Sequence, residues 1–233
     1  MARKVVLIKH GDEPCDDRAG DHLWRLGYAL DWRRPFKGDA LGSPDDEIAG
    51  TILYGGPFNI SDTPNLPFMA EEMRWIEACM ARDLPVLGIC QGGQMVAHVL
   101  GAHVGPAAHG LHEFGYYPIE PTEAGRAHFP ARLVVSQSHY HEFQIPETAQ
   151  HLARSEMYEN QAFSYGDKVF GFQFHPEVTR RGFRRWQDRD TAPYDKPGVQ
   201  TRDEQDRLSE EHDPAQAAWF RAFLDELFGP TSE

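Results

Sequence analysis

The run Pro85-Val86-Leu87-Gly88-Ile89-Cys90-Gln91-Gly92-Gly93 constrains this chain more than any other. A short, continuous apolar run ended by a glycine-rich turn reads as a strand buried on both faces, the kind that sits inside a parallel sheet. Residues 91–100 continue at helical spacing and stop at Gly101. The same alternation precedes it. Val5-Val6-Leu7-Ile8 reads as a buried strand, His22 to Leu26 as a helix stopped at Gly27, and Tyr28 to Trp32 as a strand. Residues 50–54 form a further strand, halted by Gly55-Gly56-Pro57. Residues 58–67 carry Asn, Ser, Asp and two prolines, which is loop chemistry. Met69, Met73, Ile76 and Met80 then recur at helical spacing, predicting an amphipathic helix over 68–82. Three strand–helix units in series predict an α/β fold, an open, mostly parallel sheet flanked by helices with right-handed crossovers.

The second half changes character. Residues 114–120, 132–136, 157–165 and 168–174 read as short strands separated by turns, a small additional antiparallel region. Residues 180–213 mix arginines, acids and prolines and read as a surface excursion. Trp219, Phe220, Phe223, Leu224 and Leu227 lie on one stripe of a closing helix over 214–228. At 233 residues and 26.5 kDa, one domain spanning 1–233 is expected.

Composition excludes several classes of partner. Lys plus Arg is 23 and Asp plus Glu is 36, a formal charge of −13. That balance opposes binding to nucleic acid or to anionic lipid. No apolar run approaches the length of a spanning helix, and the basic N-terminal start lacks the long apolar core of a secretory signal. Three cysteines point away from a disulfide framework and towards a reducing, cytoplasmic setting.

Of those cysteines, Cys90 stands where the buried strand meets its helix. A nucleophile in so tight a turn needs small residues two positions away on each side, and Gly88 and Gly92 supply them. The N-terminus of a helix favours a thiolate, and its unpaired N–H groups can hold a developing oxyanion. Cys79 lies on the apolar side of a helix near Trp75 and Ile76 and reads as core. Cys15 sits in a loop beside Asp16 and Asp17, a poor place for a nucleophile.

A cysteine nucleophile calls for a histidine base and a third group to aim it. Among 12 histidines, His175 is the informative one, because it ends the apolar run Val169-Phe170-Gly171-Phe172-Gln173-Phe174 and is followed by Pro176-Glu177. In an extended segment residues i and i+2 point the same way, so the Glu177 carboxylate reaches the His175 ring. Both halves fall at predicted strand ends, where open parallel sheets gather ligand chemistry.

Gly-Ile-Cys-Gln-Gly-Gly-Gln around Cys90, followed by Gly-Phe-Gln-Phe-His-Pro-Glu with His175 and Glu177, closely resembles the class I (triad) glutamine amidotransferases, and most nearly their free-standing, GMP-synthase-like members. The resemblance runs from about residue 5 to the end. It implies a flavodoxin-like sheet and hydrolysis of the glutamine side-chain amide through a γ-glutamyl thioester, with no cofactor. By the same likeness Cys90 is the nucleophile, His175 the proton carrier and Glu177 its orienter. The turn Gly55-Gly56-Pro57 resembles the family's oxyanion strand, so the Gly56 and Gln91 N–H groups are expected to bind the oxyanion and Gly55 to line the substrate. Gln94, one turn after the elbow, matches a substrate-contacting position. Ser136-Gln137-Ser138-His139-Tyr140-His141-Glu142 resembles the segment that reads the amino-acid end of glutamine, which assigns His141 and Glu142 to substrate binding. The family pattern usually has aspartate where Glu142 stands, and the longer side chain puts the identity of the γ-glutamyl substrate in question.

Other readings of these segments stay open. His139, His141 and Glu142, with His109 and His112 nearby in sequence, could be read as a metal site, but none has the spacing of a compact zinc motif and no cysteine joins them, so no metal is expected. Arg180, Arg181, Arg184, Arg185 and Arg189 read as a solvated helix face balanced by the acids that follow, with a phosphate or partner contact as the alternative. For activity, a glutamine-hydrolysing enzyme competes with an ammonia-supplying or regulatory subunit that binds a separate synthase, and with a γ-glutamyl hydrolase or thiol peptidase using the same triad. The length leaves no residues for an ammonia-accepting domain and no nucleotide-binding synthetase motif is seen, so amination is expected on another polypeptide.

Overall fold

The computed structural model describes residues 3–230; the first two residues of the basic N-terminal start and residues 231–233 lie outside it. The chain runs β1 (Lys4–Ile8), α1 (Arg18–Arg25), β2 (Ala29–Arg33), β3 (Ile48–Leu53), α2 (Pro67–Ala81), β4 (Val86–Ile89) and α3 (Gln91–Val99). It continues with β5 (Val104–Pro106), β6 (Glu113–Pro121), β7 (Leu133–His139), β8 (His141–Phe143), β9 (Gln150–Arg154), β10 (Ala162–Tyr165) and β11 (Val169–Phe172). Helices α4 (Arg180–Gln187) and α5 (Arg202–Phe228) close it. A nine-stranded sheet has the order β2-β1-β3-β4-β11-β10-β9-β6-β7, and β5 and β8 form a separate antiparallel pair. The first five strands pair in parallel and the rest antiparallel. The predicted mostly parallel sheet with an added antiparallel region is thus the observed fold.

Alternation along each strand splits the core between two faces. Val5 and Leu7 join Leu23, Phe220, Phe223 and Leu224 under α1 and α5. Val6 and Ile8 join Trp75, Ile76, Met95 and Val96 under α2 and α3. Each such side chain contributes about 1.5–3 kcal/mol on burial. Cys79 is fully buried in the second cluster, as its helix position predicts. Among the described residues no helix is long and apolar enough to cross a membrane.

Several boundaries depart from the sequence reading: α1 begins at Arg18 rather than His22, and residues 180–187 of the expected surface excursion form α4. The closing helix begins at Arg202 and runs 27 residues, so residues 202–213 are helix and not excursion. Its start is a capping box: the Thr201 hydroxyl accepts from the Glu204 N–H, and Glu204 accepts from the Thr201 N–H. Pro214 lies inside the helix and costs it the hydrogen bond to Glu210. Strand β9 occupies 150–154, where Gln150, His151 and Arg154 hide the apolar alternation; of the predicted 157–165 strand only 162–165 pairs. The 168–174 strand ends at Phe172, and residues 176–177 form a turn.

Parallel pairing of β1, β3, β4 and β11 puts their carboxyl ends along one edge. His10, Tyr54-Gly55-Gly56, Cys90 and Gln173-Phe174-His175 follow these four strands, so the topology gathers them there.

Candidate active site

Cys90 leaves β4 with φ 52° and ψ −110°, a conformation rare for a side-chain-bearing residue, and caps α3. Its N–H donates to the Phe172 carbonyl at 2.7 Å and its carbonyl accepts from the Gln94 N–H at 2.9 Å, so the elbow is tied to β11 and to its own helix. The flanking glycines are required by contact. A Cβ on Gly92 would stand 2.1 Å from the Leu53 carbonyl oxygen, and one on Gly88 2.4 Å from the Gly92 oxygen. The backbone of α3 therefore lies directly against its neighbouring strands, which brings the sulfur to the sheet edge.

His175 is buried and faces this sulfur. Its Nδ1 lies 2.8 Å from Glu177 Oε1, and the Cys90 sulfur, whose S–H donates to the Ser138 carbonyl at 3.9 Å, stands near enough to raise the ring's proton affinity. Glu177 reaches the ring from within the turn after β11, rather than along the extended segment that the sequence suggests. Three clamps hold that turn. His175 N–H donates to the Ser136 carbonyl at 2.8 Å, and the Ser136 hydroxyl donates to the His175 carbonyl at 2.6 Å. Arg18 donates its N–H to the Glu177 carbonyl at 2.8 Å and its guanidinium to the Pro176 carbonyl at 3.1 Å, and it pairs with the buried Asp213 of α5. Trp186 of α4 presses on the ring with centroids 4.8 Å apart at 73°. Burial opposes a charge on His175, but Glu177 and the Cys90 sulfur outweigh it and the imidazole is raised to about 10. Glu177 Oε2 is buried with no hydrogen-bond partner.

Gly55 and Gly56 complete the edge. A Cβ on Gly55 would stand 2.6 Å from His175 Cε1 and 3.3 Å from Cys90 Cβ; one on Gly56 would stand 2.3 Å from His10 Cβ. Both positions accept glycine alone because side chains pass this close. Gln91, the first residue of α3, lacks an intrahelical acceptor for its N–H. Its side-chain oxygen accepts from the Phe58 N–H at 2.9 Å and so pins the 56–58 turn. Cys90, His175, Glu177, Gly55 and Gly56 all line one cavity of about 420 Å³.

The remaining expected substrate residues do not line that cavity. Gln94 is buried, with Nε2 donating to the His141 carbonyl at 3.3 Å and to Gln173 Oε1 at 3.2 Å. His141 and Glu142 lie on β8, opposite Pro106 and Gly105 of β5. Burial lowers the proton affinity of His141, which Asp62 partly offsets. His139 points elsewhere: Nε2 meets Glu113 Oε2 at 2.8 Å and Nδ1 meets the His141 carbonyl at 3.0 Å. The residue central to the metal reading thus has both ring nitrogens engaged.

Several contributors were missed from sequence. Gln173 donates to Cys90 Sγ at 3.7 Å and links it to Gln94. It lies two residues before His175, where nothing in the sequence hints at the contact. His10, fully buried, bridges Glu72 Oε2 at 2.9 Å and the Tyr54 carbonyl at 3.0 Å, bracing the backbone just before Gly55. The Tyr54 hydroxyl donates to Asp17 at 2.8 Å. Burial raises Asp17, against the Gly20 N–H and the Tyr54 hydroxyl that lower it. Arg180 and Arg184 pair with Glu210 and Asp206, the following acids that the sequence suggests, but Arg185 and Arg189 pair with Asp16 and Glu13 of the loop after β1. Two of the five arginines therefore close the cavity wall.

Residues 28–185 match the family model for glutamine amidotransferase class-I. The chain is 36% identical over 162 residues to the glutamine amidotransferase-like protein YfeJ of Salmonella typhimurium, 66% of each chain, so it spans just under two thirds of that relative. It is 36% identical over 152 residues to a GMP synthase (glutamine-hydrolyzing) of Aeropyrum pernix, covering 63% of this chain and 28% of that one. Its fold superposes on a crystal structure of a glutamine amidotransferase from Thermotoga maritima with a TM-score of 0.86 at 31% identity, covering 98% and 99% of the two chains. The likeness thus holds in sequence as well as in shape, and the chain belongs to the class I glutamine amidotransferase family.

Proposed function

We propose that this chain hydrolyses the side-chain amide of glutamine, or of a close γ-glutamyl compound, to glutamate and an amine through a thioester on Cys90. The observation that carries this reading is the contact of the strained Cys90 with a His175 ring whose far nitrogen is bound by Glu177. With His175 raised to about 10, the ring holds a proton at neutral pH opposite the sulfur, and a thiolate is the nucleophilic form of cysteine. The sulfur attacks the amide carbon, and the charge developing on oxygen is received by the N–H groups of Gly56 and Gln91. His175 gives its proton to the departing nitrogen and then takes one from the water that cleaves the thioester. Glu177 keeps the ring in one orientation throughout. Gln94, His141 and Glu142 are assigned to the amino-acid end of the substrate by family likeness. A separate synthase polypeptide is proposed as ammonia acceptor, by the chain's likeness to a glutamine-hydrolyzing GMP synthase. The low cysteine count supports a cytoplasmic setting, and the acidic composition supports a small-molecule substrate over nucleic acid.

Purified protein given L-glutamine is expected to release equimolar glutamate and ammonia, with Cys90→Ala inactive. No turnover of glutamine or of any γ-glutamyl amide by the folded wild type, with or without a synthase, would sink the reading.

A further inference from the structure

The turn that carries the Gly56 N–H contains two glycines in succession, residues whose backbone turns freely unless something outside fixes it. An oxyanion donor must be held in place before the charge arrives, because aiming it during the reaction costs rate. The structure fixes this turn from both ends. At its start, the Tyr54 N–H donates to the Ile8 carbonyl at 3.0 Å, and the Tyr54 carbonyl accepts from His10 Nδ1 at 3.0 Å. At its end, the Phe58 N–H donates to Gln91 Oε1 at 2.9 Å, and Pro57 has its φ set by its own ring. Between them His10 lies so close that a Cβ on Gly56 would stand 2.3 Å from the His10 Cβ. Among the described residues the Gly56 N–H itself has no hydrogen-bond partner, and Gly56 lines the cavity together with Cys90.

The clamp on the Tyr54 carbonyl is an expensive one. The side chains of His10 and Glu72 are both 0% exposed, and His10 Nε2 meets Glu72 Oε2 at 2.9 Å. Glu72 Oε1 is buried with no hydrogen-bond partner. Two apolar side chains of similar volume would fill this space without that cost. What they could not do is donate to a carbonyl. The Tyr54 oxygen only accepts, so His10 Nδ1 carries a proton. Glu72, set on α2, holds the other edge of the ring, so this N–H keeps its aim. With no exposed surface the ring cannot touch substrate, and its effect passes through the backbone.

We propose that His10 and Glu72 are positioning residues for the oxyanion turn, fixing the direction of the Gly56 N–H through the Tyr54 carbonyl. The inference rests on the function proposed above and deepens it. In the step concerned, the Cys90 sulfur–carbon bond forms and the carbonyl π pair moves onto oxygen, beside the Gly56 and Gln91 N–H groups. Its return expels the nitrogen, which takes the His175 proton. Only this step and the matching hydrolysis of the thioester place charge on that oxygen. Alkylation of Cys90 by iodoacetamide also forms a sulfur–carbon bond, but it expels iodide and builds no oxyanion. The two reactions share the nucleophile and differ in their need for the turn.

The test uses the full-length protein and two substitutions of His10. Asparagine places its amide nitrogen where Nδ1 stands, and glutamine places it where Nε2 stands. His10→Gln therefore keeps the reach to Glu72 and loses Tyr54, and His10→Asn does the reverse. In His10→Gln, kcat for glutamine is expected to fall about 10- to 100-fold with KM little changed, short of the roughly 10²–10³ that deleting an oxyanion donor costs. His10→Asn is expected to recover most of that loss. Alkylation of Cys90, followed by the mass of its own peptide because the exposed Cys15 reacts as well, is expected to match wild type in both. Wild-type kcat in folded His10→Gln overturns the inference, and so do equal losses in the two variants or alkylation that falls in step with kcat; each leaves the proposed hydrolysis standing. Where His10→Gln does not fold, Glu72→Met, which frees the other edge of the ring, carries the same comparison, and an unchanged kcat there overturns the inference equally. No turnover of glutamine or of any γ-glutamyl amide by the wild type overturns both readings.

Discussion

The His139–Glu113 and His175–Glu177 pairs are built from the same two groups at the same 2.8 Å separation, and both are buried. They differ in what is left over. Glu113 also accepts from the Ser155 hydroxyl at 2.8 Å and from Gln161 at 2.7 Å, and the second nitrogen of His139 meets a backbone carbonyl. That network is closed on itself and cements β6 to β7. Glu177 keeps one oxygen unpartnered in the interior, and the His175 ring stands beside a cysteine sulfur that raises its proton affinity. Leaving a buried acceptor unmade costs about 1–3 kcal/mol, so the second pair is held in place by its neighbours and not by its own bonds. Arg18, Ser136 and Trp186 supply that support. Burial of an ion pair does not distinguish a reactive histidine from a structural one; the group facing its free nitrogen does.

The largest test of the contrast is Cys90→Ser, which removes what His175 faces and leaves the fold intact. Amide hydrolysis is expected to fall by roughly 10⁴-fold or more, since members of such a unit act together, while the melting temperature holds. Glu177→Gln comes next, with a loss of roughly 10²-fold or more. Its signature is in the pH profile. The imidazolium exists below its pKa, so wild-type activity is expected to persist through neutrality and fall as pH rises through about 10. Removing the carboxylate that raises His175 moves that fall to lower pH; an unmoved alkaline limb would sever Glu177 from the chemistry. Glu113→Gln probes the other pair. It is expected to cost about 3–5 kcal/mol of stability in urea unfolding, as breaking a buried pair does, with kcat per folded molecule and the pH profile unchanged. Thr201→Ala touches neither pair. It should cost about 1 kcal/mol through the lost cap of α5, read in the same unfolding experiment, with activity kept.

How much of this was legible in sequence follows the distance over which each contact acts. The elbow was readable because its requirements are local: a continuous apolar strand, a cysteine and glycines two residues away. The His175–Glu177 bond was readable for the same reason, although a turn and not a strand delivers it. His10–Glu72 and Glu113–His139 join residues 62 and 26 positions apart, and no periodicity marks one partner for the other. Helix α5 was started late because Pro214 and the charges of 202–213 imitate a loop. The capping box at Thr201 and Glu204 was the overlooked signal. Acids following in sequence take Arg180 and Arg184, as their order suggests, but the partners of Arg185 and of Arg189, just beyond α4, precede them by 169 and 176 residues.

Those two long-range ion pairs give the active-site edge a property that the sheet beneath it lacks. Cys90, Gly55 and His175 are set by backbone contacts that dissolved ions do not reach. The loop after β1 is joined to α4 and the segment just after it by Arg185–Asp16 and Arg189–Glu13, whose side chains are about one third to one half exposed. The Debye length shrinks from about 10 Å at 0.1 M to about 3 Å at 1 M salt. Ionic strength therefore acts on the far wall of the cavity while sparing the nucleophile, so in concentrated salt the binding of substrate weakens before the bond-breaking step does.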